Sequence, residues 1–521
     1  MLKNTSLSVP RKDHFGLASF PNHDISSGQT VHTDTNHATT NSAPVRLSIN
    51  ELPYDILVLI FDLVSHRDSC QATPRNYLTS ENNTPPAAFL GDPAILSQVC
   101  SYWRQTAIHI PSLWSFIVIR PLLGPEGLAK AVARWQLYVK RSGSSLLDIH
   151  IIDTAVTKCV WGAFEFHEPP PSDARLFTLI EAIAPRTQRL VFWSRCPCYH
   201  NGFPRDMIAT FLRSCVPSVL KVLSVHVYPI PGIRNMGPCT LTSEAGGPFD
   251  DKLQRLLDSV VILDVDGYYP SIPSKAYYGL VELRLQASRT DDMTVEEFYL
   301  IRIIESSPGL RVLEFDLRVN DMEDEDSLDP LFRPIHLDDL QVVILGRNPR
   351  KYLGNILRWL FPGPKPLSLS ICSPYERGAP DLDFFTQHET QKFIARSNVT
   401  RLGLHSVGNS MQLAHLLKMA PNVEVLAIDA VTNVPANADL LPKPQRWLDS
   451  LYVIPSSYTS PPSRENVQWF VQTYGVRNLT VWSKDFEFDG VFGEEAMGDH
   501  SARYPVINVK AGEPNPVAEW Y

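Results

Sequence analysis

The amino-acid sequence predicts an α/β protein in which a small all-α helical unit near the N-terminus is followed by a solenoid of strand-and-helix units. The first observation is that apolar residues between positions 47 and 119 recur with the three- and four-residue spacing of amphipathic helices. The second is an apolar-x-x-Leu-x-apolar pattern that recurs from about residue 173. Its copies lie roughly 20–40 residues apart, which is the range of solenoid units.

Composition and pattern divide the chain into five segments. The first is rich in Ser, Thr, Asn and His and has no apolar period, so we expect it to be disordered. The last, rich in Gly, Glu and Asp, is expected to form a cap or a tail. The boundaries are 1–45 for the N-terminal tail, 46–120 for the helical unit with a polar loop insert at 65–91, 121–172 for a linker helix and first strand, 173–485 for the solenoid and 486–521 for the C-terminal segment.

Two apolar stripes predict the helical unit. Pro53 suits the first turn of a helix, where its missing N–H costs little, and the first stripe follows it. Arg104 follows the second stripe, and Pro111, Leu113 and Trp114 close the unit. The members of the stripes are Ile56, Leu57, Ile60, Phe61 and Val64, then Ile95, Leu96, Val99, Cys100 and Trp103.

This unit resembles an F-box, and its closing set Val-Cys-x-x-Trp-Arg … Pro-x-Leu-Trp is similar to that of fungal F-box proteins. The resemblance implies docking onto a Skp-type adaptor and, through it, onto a cullin-based ubiquitin ligase. The loop insert departs from the family pattern, although lengthening a loop costs little entropy. The plainer alternative is an ordinary amphipathic helix pair that begins a larger domain. The adaptor contacts that the resemblance implies are Leu52, Pro53, Ile56, Leu57, Ile60, Val99 and Trp103.

The linker is predicted to contain a helix at 128–139, which stops at Arg141-Ser142-Gly143, and a strand at 146–151. The stretch from Trp135 to Ile149, with Arg-Ser-Gly-x-Ser-x-Leu-Asp-Ile at its end, is similar to the entry into the repeat domain of fungal F-box proteins.

The repeats are predicted from strand anchors with helices before several of them, at 295–306, 411–419 and 466–473. Each unit exposes an apolar face that only the next unit can cover. The array resembles an irregular leucine-rich-repeat horseshoe, although the asparagine ladder of regular repeats is missing after most anchors. A doubly wound sheet of alternating strands and helices is the rival fold. The central anchor residues are Leu223, Leu263, Leu283, Leu313, Val343, Leu402, Leu426 and Leu479.

Strand alternation predicts which repeat residues a partner could touch. Leu313 and Phe315 point into the core, so Glu314 and Asp316 point to the opposite face. By analogy with the fold, we expect a target protein to bind on this strand face. The candidate target contacts are Arg284, Glu314, Asp316, His405 and Asp429. Aromatic residues near the strands, such as Trp193, Tyr452 and Trp482, could be recognition anchors but at repeat positions are more often packing residues.

Composition excludes several classes of protein. A net charge of −9 and a pI near 5.9 argue against binding to nucleic acid or anionic membranes. The absence of an apolar run of about 18 residues predicts no membrane span, and the N-terminus lacks the apolar core of a secretory signal. Eight cysteines in so long a chain indicate reduced thiols in the cytoplasm or nucleus.

No stretch of the sequence predicts catalysis, a metal or a cofactor. Cys196-Pro197-Cys198 with His200 lacks the second ligand pair that a structural zinc site needs. The acidic segment at 321–329 lacks the glycine and spacing of a calcium loop, and the segment 403–408 lacks the spacing of a nucleophile elbow. We therefore expect a chain that binds proteins and performs no chemistry itself.

The sequence favours a substrate-recognition subunit of a Skp–cullin–F-box type ubiquitin ligase. Its F-box would hold the adaptor, and its repeats would hold an unknown target protein. The rival is a ligase-independent scaffold, in which the helical unit only caps the apolar end of the solenoid. A repeat-bearing enzyme is a third possibility, and it would need perturbed titratable groups that converge in one cleft.

Overall fold

The computed structural model describes residues 52–66, 93–121, 125–153, 174–194, 203–227, 239–240, 251–271, 274–287, 294–320, 333–346, 350–372, 388–405, 410–428, 448–454, 464–483, 506–511 and 517. The chain divides into two units, 1–52 and 53–521, and of the described residues only Leu52 belongs to the first. None of the helices in the described part is both long enough and apolar enough to cross a bilayer.

The described residues form short helices that alternate with strands over most of the chain. The helices are α1 Tyr54–His66, α2 Pro93–Leu96, α3 Ser101–Ile108, α4 Pro125–Arg141, α5 Ala174–Ile183, α6 Phe203–Ser214, α7 Asp251–Leu257, α8 Glu297–Glu305, α9 Arg350–Trp359, α10 His388–Arg396, α11 Ser410–Met419 and α12 Arg464–Tyr474. Three short 3-10 helices accompany them, at Pro111–Trp114, Ala184–Arg186 and Lys275–Tyr277.

One large parallel sheet of 14 strands dominates the structure. Its strands are β1 Phe116–Ile119, β2 Leu147–Asp153, β3 Thr187–Ser194, β4 Val222–Val227, β6 Ile262–Asp266, β8 Glu282–Gln286, β10 Val312–Phe315, β13 Val342–Gly346, β15 Leu367–Cys372, β16 Val399–His405, β17 Val425–Ile428, β18 Ser450–Val453, β19 Asn478–Ser483 and β20 Val506–Ala511. Three two-stranded pairs lie beside it: β5 Cys239–Thr240 with β7 Tyr268–Tyr269, β9 Thr294–Glu296 with β11 Arg318–Asn320, and β12 Ile335–Leu337 with β14 Leu360–Pro362.

The strands of the large sheet lie side by side in chain order. The α/β class predicted from the sequence is therefore confirmed. A doubly wound sheet reverses its strand order at a switch point, and the described order does not reverse. Each of the central anchor residues lies in one of these strands. The predicted helix at 295–306 begins instead with β9, and α8 starts only at Glu297.

A continuous row of core leucines lies on one face of the sheet, which we call the leucine face. Leu223, Leu263, Leu283 and Leu313 are in register on adjacent strands and are all 0% exposed. Because strand side chains alternate, the residue after each of these leucines points to the other side. We call that side the second face; the residues in question are Ser224, Asp264, Arg284 and Glu314.

The helical unit is continuous with the first strand of the sheet. The 3-10 turn at Pro111–Trp114 leads directly into β1, and the Trp114 indole N–H donates to the carbonyl of Ala107 at 2.8 Å. The buried Trp114 ring packs edge-on against Tyr138 of α4 at 5.2 Å, and the Arg141 guanidinium lies 4.2 Å from the Trp114 ring centre. These contacts hold the unit against the start of the sheet.

Candidate protein-docking site

Helix α1 has two apolar faces with opposite environments. Leu57 and Phe61 are fully buried, whereas Ile56, Leu59 and Leu63 are 42%, 57% and 69% exposed. The exposed residues follow an i, i+3, i+7 spacing, which at about 100° per residue places them within an arc of roughly 60° on the helix. A helix that faces water would normally carry polar residues there, so this apolar face is a candidate site of interaction.

More exposed apolar residues lie in the segment that packs on α1. Helices α2 and α3 both contact α1. Of the twelve large apolar side chains that are exposed in the described part of the chain, seven belong to residues 54–108. We call this set the docking face: Tyr54, Ile56, Leu59, Leu63, Ile95, Val99 and Ile108.

Two of the predicted adaptor contacts lie in the core of the helical unit instead. Leu57 is 0% and Trp103 is 8% exposed, and the Trp103 ring packs edge-on against Phe61 with 5.0 Å between the ring centres. These side chains hold α1 onto α3 and offer no surface to a partner. Their burial has a geometric cause, because Leu57 and Phe61 are four residues apart and therefore share one side of the helix.

The other predicted contacts lie at or near the surface. Ile56 and Val99 are exposed, Pro53 is exposed at the start of α1, and Leu52 and Ile60 are half-buried. The sequence did not single out Tyr54, Leu59, Leu63, Ile95 or Ile108 as contacts. Positions 56–61 are all apolar, so the pattern of α1 alone does not show which side is buried.

The Val-Cys-x-x-Trp-Arg motif shapes the turn between α2 and α3. The Cys100 sulfur caps α3 by accepting the backbone N–H of Trp103 at 3.4 Å, and the Arg104 Nε donates to the carbonyl of Ser97 at 2.9 Å. These contacts fix the end of α2 against the start of α3. Val99 is left pointing outward at 57% exposure.

The predicted target contacts on the second face fall into different environments. Arg284 is half-buried and pairs with Glu314 at 3.0 Å and with Glu282 at 3.6 Å, while Glu314 is only 2% exposed. Asp316 is half-buried. The backbone of His405 belongs to β16, and Asp429 lies outside the described residues. Arg284 and Glu314 are thus brought together as a mutually satisfied ion pair across β8 and β10.

A Ser-His-Asp cluster on the second face does not have the geometry of a catalytic triad. Ser224 Oγ at 3.1 Å and Asp264 Oδ2 at 3.0 Å both lie at the Nε2 of His226. A triad needs the carboxylate on one imidazole nitrogen and the nucleophile on the other. The Ser224 hydroxyl also donates to Asp264 at 3.2 Å, so the three side chains form a closed polar cluster.

The charges around His226 control its titration. Burial is the largest single influence and disfavours the imidazolium, but Asp264 attracts and hydrogen-bonds it, and Asp266 and Glu314 add to that attraction. Together the carboxylates raise the pKa of His226 above its ordinary value. Neighbouring strands therefore share buried charge on this part of the second face.

The remaining sequence candidates for chemistry find no support in the described residues. Cys196, Cys198 and His200 and the acidic segment 321–329 lie outside them. Within the described ranges, no group of three or more His, Cys, Asp or Glu side chains is placed to hold a metal ion.

Neither a protein family nor a curated protein matches this chain.

Proposed function

We propose that this chain is a substrate-recognition subunit of a Skp–cullin–F-box type ubiquitin ligase. The observation that carries the proposal is the docking face, which is apolar, exposed and set opposite the buried face of the same helix. It lies in the segment whose motifs resemble an F-box.

An adaptor that covers the docking face would gain free energy from apolar burial. Full burial of a Leu or Ile side chain contributes about 1.5–3 kcal/mol. Ile56, Leu59 and Leu63 are each about half exposed or more, so an adaptor that covers them gains roughly 1 kcal/mol from each. A unit of this size usually needs such a neighbour for its stability.

The buried side of the helical unit also fits a scaffold, in which the unit caps the sheet. Trp114 and the 3-10 turn join it to β1 and α4, as a cap would require. A cap, however, needs only one apolar side, and it leaves the exposed residues of α1 unexplained. The docking face therefore favours the ligase over the scaffold.

We propose that the large sheet and its helices form an irregular leucine-rich-repeat solenoid that holds a target protein. The chain-order sheet with its buried leucine rows supports this architecture. The mechanism is proximity: one end of the chain holds the adaptor and the other holds the target, so that target lysines meet the conjugating enzyme at high effective concentration. The proposed location is the cytoplasm or nucleus, and the free thiols of Cys100 and Cys215 fit a reducing compartment.

The test is binding of the full chain to a purified Skp-type adaptor by calorimetry. We expect an Ile56→Glu/Leu63→Glu variant to lose at least roughly 10-fold in affinity, because it places two charges in an apolar contact. Phe298→Glu is the matched control: Phe298 is 50% exposed on α8, away from the docking face, and its replacement should leave adaptor binding unchanged.

Two results would contradict the proposal. One is a folded full chain that does not bind the adaptor. The other is equal loss of binding in the control and the double variant. Either result would favour the scaffold with a helical cap.

A further inference from the structure

Charged side chains of one strand-and-helix unit cap the helix of the preceding unit at three places in the described part of the chain. Lys252 on α7 donates to the carbonyl of Arg213 at the end of α6 at 2.5 Å. Arg396, the last residue of α10, donates to the carbonyls of Leu357 and Leu360 at and just beyond the end of α9, at 2.9 Å and 2.8 Å. The last carbonyls of a helix lack partners within it and carry partial negative charge, so a cation there is stabilising.

The third cap lies at the end of α4, and Arg186 supplies it from the turn between α5 and β3. The Nη2 of Arg186 donates to the hydroxyl of Ser142 at 3.0 Å and to the carbonyl of Ser145 at 2.6 Å, and its Nε donates to the same carbonyl at 3.2 Å. Ser142 is fully buried and Arg186 is half-buried. We call these contacts the Arg186 clamp; it joins residues 41 and 44 positions apart in the sequence.

The turn in the Arg186 clamp ends the helix against which the helical unit packs. Arg141, the last residue of α4, lies over the Trp114 ring, and Tyr138 one turn earlier packs edge-on against the same ring. The Trp114 indole N–H in turn donates to Ala107 in α3. A continuous path of contacts therefore runs from Arg186 at the entry of β3, through the end of α4 and the Trp114 ring, to α3, which carries part of the docking face.

Backbone pairing also joins the helical unit to the sheet, at the point where the chain enters β1. The carbonyl of Ser115 accepts the N–H of Asp148 at 3.0 Å, and β1 then pairs with β2. Attachment at one point restrains the position of the helical unit more than its orientation. The contacts through α4 add a second point of attachment, which removes much of the remaining rotational freedom.

We propose that Arg186 is a positioning residue, which holds the end of α4 in place and, through Trp114, keeps the docking face in one orientation relative to the sheet. This role stands on the contacts of the Arg186 clamp and of the Trp114 ring. Only its consequence, that a target on the sheet is presented at a fixed distance from the adaptor, rests on the proposed function.

The Arg186 clamp is strong enough for its loss to be measured. A hydrogen bond to a charged group changes a local opening equilibrium by roughly 10- to 150-fold. Amide hydrogen exchange reports such openings segment by segment. A residue that only caps its own turn protects that turn alone, whereas a positioning residue also protects the segments that it holds through other contacts.

The experiment is hydrogen exchange followed by mass spectrometry on full-length chains without any adaptor. Arg186→Met keeps much of the apolar bulk of the side chain and removes its donors. We expect exchange to rise at least 10-fold in residues 139–148 and at least 3-fold in residues 101–114, because the effect passes on through the Trp114 ring. Residues 399–405, in β16, should exchange as in the wild-type chain.

Arg396→Met is the matched control, because it removes the same kind of cap from α9. It should raise exchange in residues 353–362 and leave residues 101–114 unchanged. Two results would overturn the proposal. One is a rise confined to residues 139–148 in the Arg186→Met chain, or no rise at all. The other is an equal rise in residues 101–114 in both variants.

A milder variant decides the question if Arg186→Met fails to fold or raises exchange throughout the chain. Ser142→Ala removes one acceptor of the Arg186 clamp and should raise exchange at least twofold in residues 101–114; no rise there would equally overturn the proposal. Adaptor binding is not part of the readout, so the positioning role of Arg186 and the proposed ligase role can fail separately.

Discussion

The helical unit and the sheet differ in how much of their apolar surface is exposed. Helix α1 has 13 residues and leaves one of its two apolar faces uncovered. The leucine row of the sheet is fully buried. On the second face, Arg284 pairs with Glu314 across strands, and Val517 packs on Ala427. The helical unit thus exposes an apolar face, whereas the sheet buries its leucine row.

This difference supports the proposal that a partner covers the docking face. In a sheet of 14 strands nearly every strand has a neighbour on both sides. The apolar side chains of each strand are therefore covered by those of the adjacent strands and their helices. A few short helices have too little volume to cover both sides of α1. Exposed apolar surface at the small end of the molecule therefore points to docking, whereas the same surface in the sheet would point to a packing defect.

The largest expected effect is a difference in the free energy of unfolding between substitutions on the two faces of α1. Phe61→Ala removes a fully buried ring that packs on Trp103 and should lower the free energy of unfolding by about 3–5 kcal/mol. Leu63→Ala, two residues away on the exposed side, should change it by less than about 0.5 kcal/mol. Urea unfolding followed by Trp fluorescence measures both. Equal effects of the two substitutions would mean that the docking face is buried in solution.

The second effect tests whether the charges on the second face satisfy one another. Arg284→Met leaves the buried Glu314 without its nearest cation, and we expect a loss of about 2–4 kcal/mol, below the full range for buried pairs because Arg284 is partly exposed. The double variant Arg284→Met/Glu314→Gln removes both charges and should recover most of that loss. The shift in the urea midpoint measures it. A single variant as stable as the wild type would show that the pair contributes nothing.

Most strands of the large sheet could be predicted from the sequence because their signal is local. Each anchor triplet places two leucines or their equivalents on one side of a strand, and that spacing alone located β4, β6, β8 and β10. The same spacing is present at Leu448-x-x-Leu451-x-Val453, so β18 could have been found as well. β20 could not, because Val506–Ala511 carries no leucine and joins the sheet only through its pairing with β19.

The docking face could be predicted only in part, because packing decides which side of α1 is exposed. The sequence shows that α1 is apolar, but only the position of Trp103 decides that Phe61 faces inward and Leu59 outward. The charged row of the second face could have been predicted, because each of its residues directly follows a strand leucine. Its members are Ser224, Asp264, Arg284 and Glu314. The packing of Val517 on Ala427 could not be predicted, because the two residues are 90 positions apart in the sequence and no local pattern reports such a contact.

The smallest expected effect is a dependence of stability on pH that arises from His226 in the sheet. The folded pKa of His226 is raised above its ordinary value of 6.5 by Asp264, Asp266 and Glu314, against the opposing influence of burial. The folded state therefore binds this proton more tightly than the unfolded state does. The resulting stability is fully present below pH 6.5 and is lost as the pH rises through the folded pKa.

Thermal unfolding between pH 6 and pH 9 measures this dependence. We expect the wild-type chain to lose stability across that range and His226→Gln to lose less of it, because glutamine keeps a hydrogen bond to Asp264 without a proton to release. Adaptor affinity through the docking face should not follow the same curve, since its contacts are apolar. A parallel fall in adaptor affinity would mean that the helical unit and the charged part of the second face unfold together, and the two regions would then differ in composition but not in stability.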